Sequence, residues 1–555
     1  MPITAVRRDI DPKRRSSTVL MNGNGKRPHL ARSVGRRFRS AVFPNKVKRY
    51  GQGSRFLRVY LVAPRHPENV WSLQGTVEVI GAKTLMPNAA LATLMALTPP
   101  GVSVEYSLGD ENIAPIDWDM PCDLVAVTGS TIHVRRIAEI CHAFRSRGIP
   151  IALGGSYASI YRDQCAPLAD HLFIGEAERT WPKFLQQWRD GNAQPCYVQE
   201  SHIDLKDSPP PDWSLIHAKD YVNLTVQTSR GCPNRCDFCD VIQYMGRLYR
   251  TKSVEQILAE VRNAHRIGAN SVFFSDDNFF GNPAFTRELL RALIRWNTMQ
   301  LHPLSFATQI TLQVADDEDL LKMFADARFS VLFLGVETIR RESLEEIHKT
   351  QNIRHDMGER IKRISRHGIV PFLGLIVGFD HDDISVFDEL YRFVEDTSSP
   401  IACVSLLNAP LKTQLFDRLT KEGRLIGDDF SGEWQLYTNI VPKQMSREEL
   451  QQRFWSLFKK LYEPKRFDQR LRNWLAQVEY TSPLYVNKRA DMKQFATALT
   501  MVKHFVFASD SSVRRMFYRN IVRMWKTYPR LMRRTITLLA QFRHFYDFVH
   551  ARGGD

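Results

Sequence analysis

From residue 56 onward the chain alternates short apolar runs with stretches of helical period. FLRVYLVA at 56–63 reads as a strand, 86–97 as a helix with Pro87 near its start, and 102–108 as an alternating strand. DLVAVT at 123–128 is an apolar run that ends in Gly129-Ser130. A basic amphipathic helix at 133–147 stops at Gly148, and the run 151–153 leads into Gly154-Gly155. The run 171–174 ends at Gly175-Glu176, and 181–188 reads as a last helix. This spacing predicts an α/β, Rossmann-like, doubly wound parallel sheet. Such sheets bind ligands beyond the carboxyl ends of their strands. Here those ends are Thr128-Gly129-Ser130, Gly154-Gly155 and Gly175-Glu176, where missing side chains would let a large flat ligand reach the backbone. Glycines that merely end strands would give the same pattern. No G-x-G-x-x-G is present, so a dinucleotide is not favoured.

Pro209-Pro210-Pro211 marks 195–220 as a linker, and a second series follows. Strands are expected at 221–228, 271–275, 304–308, 331–336, 371–377 and 402–407, with helical patterns between them. Six alternations predict a partial (β/α)6, TIM-like barrel whose chemistry sits at the strand carboxyl ends. From residue 446 the pattern is helical alone. The expected organisation is a disordered basic tail (1–55), a Rossmann-like domain (56–194), a linker (195–220), the barrel (221–425) and a C-terminal helical region (426–555).

The strongest chemical signal is T-S-R-G-C-P-N-R-C-D-F-C at 228–239, directly after the first strand of the second series. Its thiols, Cys232, Cys236 and Cys239, are spaced for metal. A structural zinc site wants four ligands, and no fourth Cys or His lies within ten residues. Three thiolates on a 4Fe-4S cluster leave one iron open to a chelating ligand. Zinc and a purely redox cluster remain the alternatives at this point.

C-x-x-x-C-x-x-C with Phe238 before the last Cys resembles the signature of the radical S-adenosylmethionine (SAM) family. In that family the open iron takes the amino and carboxylate groups of SAM, and an electron cleaves SAM to a 5′-deoxyadenosyl radical. The resemblance implies SAM contacts from Asp276 and Asp277 after the second strand, Gln309 after the third and Glu337 after the fourth. It also implies adenine packing by the glycine motif at 374–378, which ends in Gly378. With the Rossmann-like sheet in front, the chain resembles radical SAM proteins that carry a cobalamin-binding domain. The subgroup is that of hopanoid C-methylases and bacteriochlorophyll methylases, and the likeness covers residues 56–480. It implies cobalamin at Thr128, Gly129, Ser130, Gly154, Gly155, Gly175 and Glu176. No D-x-H-x-x-G is present, so either cobalt has no protein His ligand or cobalamin is not bound. The implied activity is C-methylation of an unactivated carbon. Alternatives are a cobalamin-using radical cyclase or rearrangement enzyme, a non-enzymatic iron–sulfur regulator, and RNA modification. An electron donor of flavodoxin or ferredoxin type and an apolar small-molecule substrate are implied.

Charge refines the picture. The whole chain of 555 residues carries +16, but residues 1–55 hold +13, 484–555 hold +10 and the body between holds −7. An acidic body without a recognisable RNA module argues against nucleic acid. Basic ends leave room for an anionic surface. Arg514 to Arg534 interleave with Phe517, Tyr518 and Trp525, and Phe545 follows, as in a helix lying on a bilayer; a helical bundle with a solvated basic face fits equally. No run approaches the ~18 apolar residues of a spanning helix, and the amino end does not read as a secretory signal. Eight Cys are too few for a disulfide scaffold, so the reducing cytoplasm is expected, with a possible peripheral contact at the inner membrane surface.

Overall fold

In the first sheet, β2 (Leu57–Ala63) pairs in parallel with β3 (Val104–Asp110) on one side and β4 (Leu124–Thr128) on the other. The sheet continues in parallel through β5 (Ile151–Gly154), β6 (His171–Ile174) and β7 (Cys196–Val198). This computed structural model describes residues 46–51, 56–427, 436–485, 500–508 and 510–552. β2 and β4 are buried almost throughout, which is why they read as continuous apolar runs. Ile137, Ile140 and Phe144 of the helix Val134–Arg145 cover one face, and Leu91, Met95, Trp181 and Phe184 cover the other.

Two expectations need correction here. The stretch 1–55 is not all tail: β1 (Val47–Tyr50) adds an antiparallel edge to β3. It is held by the Tyr50 ring against Tyr106 and by Arg49 to Glu105 at 2.5 Å. Residues 1–45 and 52–55 lie outside the described residues. The predicted linker 195–220 likewise contributes β7, paired with β6 through Leu172↔Cys196 to Ile174↔Val198. Strands of three or four residues are too short to show a period.

The second sheet has the order β15-β14-β13-β12-β11-β8 and is parallel throughout. Its members are β8 (Leu224–Val226), β11 (Ser271–Phe274), β12 (Ser305–Ile310), β13 (Phe329–Glu337), β14 (Val370–Val377) and β15 (Ile401–Leu406). This is the partial (β/α)6 barrel predicted from the sequence. Along β11–β13, fully buried residues such as Val272, Phe306 and Leu334 pack on the helices, and the alternate positions are only partly covered. The short hairpin β9 (Ser229–Arg230) and β10 (Arg250–Thr251) follows β8.

The C-terminal region is helical and joins the barrel core. The Tyr462 hydroxyl donates to the Ala402 carbonyl (2.8 Å) in β15, and the helix Met532–Arg552 packs through His544 on the Val70 carbonyl (3.0 Å). Phe517 and Phe545, expected at a membrane surface, are core residues instead. Phe517 stacks on Phe505 (4.4 Å) and Phe545 on Tyr462 (4.6 Å). Among the described residues no helix is long and apolar enough to cross a membrane.

Candidate functional site

The cysteine loop hangs from the β9–β10 hairpin at the carboxyl end of β8. Gly231 opens it at φ +87°, and a Cβ there would lie 2.2 Å from the Leu248 carbonyl oxygen, so only glycine fits. The amide of Cys232 donates to the Gly246 carbonyl and that of Cys239 to the Cys236 carbonyl, both at 3.2 Å. Asp237 is tied on both sides: its amide donates to Ile347 O (3.4 Å), and its carbonyl accepts from Leu415 N (3.1 Å). Phe238 rests against the apolar cluster that includes Leu344, Ile347, Phe379 and Leu407. All three thiols are free and partly exposed, and burial pushes each above the ordinary thiol range. A soft metal would reverse that shift by taking the thiolate form. Among the described residues no three or more His, Cys, Asp or Glu converge on a point suited to one metal ion. Three soft thiols spread along one loop are a donor set that could hold the corners of an iron–sulfur cluster.

The acidic residues after the next strands are arranged differently from the expectation. Asp276 is fully buried and turned toward β8–β9, accepting from Thr228 N (2.6 Å), Ser229 N (2.9 Å) and the Thr228 hydroxyl. Burial pushes its carboxyl up to about 7. Asp277 accepts from Gly231 N at 2.8 Å, beside Cys232. Both aspartates therefore brace the cysteine loop. Gln309 donates to the Asp276 carbonyl at 2.5 Å. Glu337 sits in the left-handed region (φ +63°) at a register shift in β13 and pairs with Lys349. A Cβ on Gly335 would lie 2.7 Å from the Lys349 ammonium, so this glycine makes room for the pair. Although burial works against its charge, Glu337 and Cys236 hold the Lys349 ammonium above its ordinary range. Asn352 gives its amide to the carbonyls of Gly335 and Val336, and among the described residues its buried Oδ1 has no donor. Gly378 ends β14 with φ +107°, and the space of its missing side chain faces Leu450 and Leu407.

The strand ends of the first sheet are closely packed among themselves. A Cβ on Gly155 (φ +99°) would meet the Thr128 hydroxyl at 2.6 Å and the Gly129 carbonyl at 2.7 Å. A Cβ on Gly129 would meet Ile137 and His133, and one on Gly175 would meet Gln199. These glycines let the loops pack on one another. Gly154, with Phe173 at 3.4 Å, is the one whose Cβ would make only ordinary contact. Ser130 bonds through its amide to the His133 ring at 3.1 Å.

Glu176, expected beside a corrin, is buried under two arginines of the cysteine hairpin. Arg230 Nη1 reaches it at 2.8 Å and Arg250 Nη1 at 2.9 Å, while Ile203 N donates to its other oxygen at 2.9 Å. Glu178 takes the second arm of Arg230 at 2.7 Å. Burial alone would raise the Glu176 carboxyl, but Arg230 leads the donors that hold it below its ordinary range. Arg250, Lys349 and Asn352 had no local sequence signal. Arg230 stands inside the cysteine motif, whose spacing assigns it no role.

A family model described as the radical SAM superfamily matches residues 226–394, which run from the end of β8 past β14. A second, described as a domain of unknown function (DUF4070), matches 413–553. A Synechocystis sp. protein named as an uncharacterized methyltransferase is 32% identical over 74% of this chain and 76% of its own length. The hopanoid C-2 methylase of Rhodopseudomonas palustris is also 32% identical, over 68% of this chain and 72% of its own. The solved structure of OxsB, a cobalamin-dependent SAM radical enzyme with aqua-cobalamin and SAM bound, superposes with a TM-score of 0.56 at 15% identity. It covers 89% of this chain and 80% of that one, and this likeness concerns the fold. The likeness to methyltransferases takes in 74% and 68% of the chain, far more than the cysteine loop, so the chain is an enzyme of the radical SAM superfamily and belongs to the group that contains the hopanoid C-2 methylase.

Proposed function

We propose that this enzyme is a cobalamin-dependent radical SAM C-methyltransferase acting on an unactivated carbon of an apolar substrate, a lipid-like molecule or a tetrapyrrole. One observation carries the reading. Arg230, two residues before Cys232, meets Glu176 at the carboxyl end of β6 at 2.8 Å. The ligand-binding end of the first sheet thus abuts the cysteine loop, as a methyl carrier and a radical source sharing one substrate require. Cluster, SAM and cobalamin, when bound, supply the one-electron chemistry and the methyl carriage that no side chain offers. Cys232, Cys236 and Cys239 would hold the cluster. The Oδ1 of Asn352, without a donor among the described residues, and the Lys349–Glu337 pair line the adjoining strand end, where the amino acid part of SAM needs polar partners. Thr128 and Gly154, at the carboxyl ends of β4 and β5, would face the corrin, and Phe238 closes the apolar side of the loop.

A flavodoxin- or ferredoxin-type donor would deliver the electron from the cytoplasm. Peripheral contact with the inner membrane surface would bring in the apolar substrate. The test is product analysis by mass spectrometry. Anaerobically reconstituted protein is given reductant, SAM, and lipid or tetrapyrrole fractions. The reading expects S-adenosylhomocysteine and 5′-deoxyadenosine in equal amounts with a methylated product, and loss of 5′-deoxyadenosine in Cys232→Ala. 5′-Deoxyadenosine without S-adenosylhomocysteine would replace it with a cyclase or rearrangement enzyme. Neither product would leave an iron–sulfur regulator.

A further inference from the structure

Two histidines stand at the switch point of the first sheet. β2 and β4 are neighbours, yet the chain leaves β2 for β3 on one side and leaves β4 for β5 on the other. The crevice outside two such strand ends is where a doubly wound sheet receives its ligand. His66 follows β2 and His133 follows β4, and their rings meet there with Nδ1 of His66 3.0 Å from Nε2 of His133. His133 is buried at 7% exposure, whereas His66 is open to solvent, its own amide fixed to Asn112 Oδ1 at 2.8 Å.

The direction of this pair is set by the backbone. The Ser130 amide points at His133 Nδ1 at 3.1 Å, and a backbone N–H can only donate. Nδ1 of His133 is therefore unprotonated, and a neutral imidazole then carries its proton on Nε2. Burial, with His66 alongside, drives the His133 pKa down to about 3, so the ring stays neutral. Its Nε2–H donates to His66 Nδ1. His66 in turn carries its proton on Nε2, the nitrogen left for the crevice. An imidazole in this form offers a hydrogen bond and no lone pair at that atom. To bind a metal through Nε2 it would have to move its proton to Nδ1 and break the bond from His133.

We propose that His66 is a ligand-contacting residue of the corrin site, a neutral N–H donor pre-set by His133 and Ser130 that binds an amide carbonyl on the corrin rim and does not coordinate cobalt. The proposal rests on the cobalamin reading above. Amide carbonyls are the abundant neutral acceptors around a corrin, and a donor of fixed tautomer needs no proton exchange to meet one.

The experiment uses the full-length protein with hydroxocobalamin and, separately, cob(II)inamide, which lacks the nucleotide base. Affinity is read by absorption titration after desalting, and cobalt ligation by electron paramagnetic resonance. His66→Leu is expected to weaken corrin binding about tenfold, the worth of one such hydrogen bond, while His66→Gln, which keeps an N–H donor, stays within about threefold of wild type. Cob(II)inamide in the wild type should show cobalt lines without triplet splitting by a nitrogen. Equal affinity in His66→Leu and wild type would overturn the proposal. So would a nitrogen triplet in the wild type that His66→Leu removes, because it would make His66 a cobalt ligand. Absence of corrin binding to the wild type would instead sink the cobalamin reading itself, and the proposal with it.

Discussion

Asp276 accepts three hydrogen bonds from two residues of the cysteine hairpin, and burial still pushes its carboxyl up to about 7. The native state therefore keeps this proton to higher pH than the unfolded chain, whose Asp titrates near 4. Between those values the folded protein binds more protons, so stability falls as pH rises and the penalty is fully present above pH 7. Asn imitates the protonated form: its Oδ1 can accept both amides, and its Nδ2 can donate to the Thr228 hydroxyl. Asp276→Asn should match wild type in urea-unfolding midpoint near pH 5 and exceed it near pH 8. A gap of the same size at both pH values would refute the argument. Asp276→Leu should fail at both, since it strips acceptors from two buried amides at about 1–3 kcal/mol each. The sequence placed Asp276 and Asp277 at the end of the second strand of the barrel series. It did not show which way they turn, because that depends on β8 and β9 lying alongside, and nothing near residue 276 records it.

Glu176 ties an element of the first sheet to the hairpin that carries the cysteines. Arg230 and Arg250 are nearly buried, at 12% and 8% side-chain exposure; Arg230 divides its charge between Glu176 and Glu178, and Arg250 pairs with Glu176. Removing one partner of a buried ionic group costs about 3–5 kcal/mol, because the remaining charge is left unpaired. Glu176→Ala should lower the melting temperature and loosen the hairpin. In holoprotein challenged with an iron chelator, it should release iron faster than wild type, and Glu176→Gln should fall between the two. Release at the wild-type rate would show that the clamp does not hold the cysteine loop. At this scale much was legible. Parallel strands buried on both faces read as plain apolar runs, and β6 and β14 appeared at or within one residue of their positions. The cysteine loop was legible because its three ligands are local in sequence. The β9–β10 hairpin, with two residues to a strand, was not. Neither was the clamp, which gathers Glu176, Arg230 and Arg250 from separate elements that only the tertiary fold brings together.

The helix Ser511–Thr527 is where the proposed membrane contact can be tested at the scale of the molecule. Its inner face, with Val513, Met516, Phe517 and Met524, is buried, and Asn520 is tied to Asp468 at 2.8 Å. Its outer face carries Tyr518 (49% exposed), Val522 (50%) and Trp525 (74%), at the spacing that aligns side chains on one stripe. Arg515 and Lys526 flank that stripe and are exposed. A ring-bearing stripe flanked by cations suits the headgroup layer of an anionic bilayer. Each cation there contributes about 1 kcal/mol, so this pair alone gives roughly thirtyfold in partitioning. Salt would screen that attraction over a Debye length of ~8 Å. The sequence had placed Phe517 and Phe545 in this contact, and their burial removes them from it, leaving Tyr518 and Trp525 as the aromatic anchors. Vesicle sedimentation checks the expectation. The wild type should pellet with anionic vesicles at low salt, less at high salt, and little with neutral vesicles. The double variant R515E/K526E should lose the salt-sensitive part, and Trp525→Ala the part that remains at high salt. Because this helix is anchored through Asp468 to the same core as the barrel, docking would fix the orientation of the barrel at the surface. Equal pelleting with both vesicle types, or none at low salt, would reject the contact and leave the stripe as ordinary solvated surface.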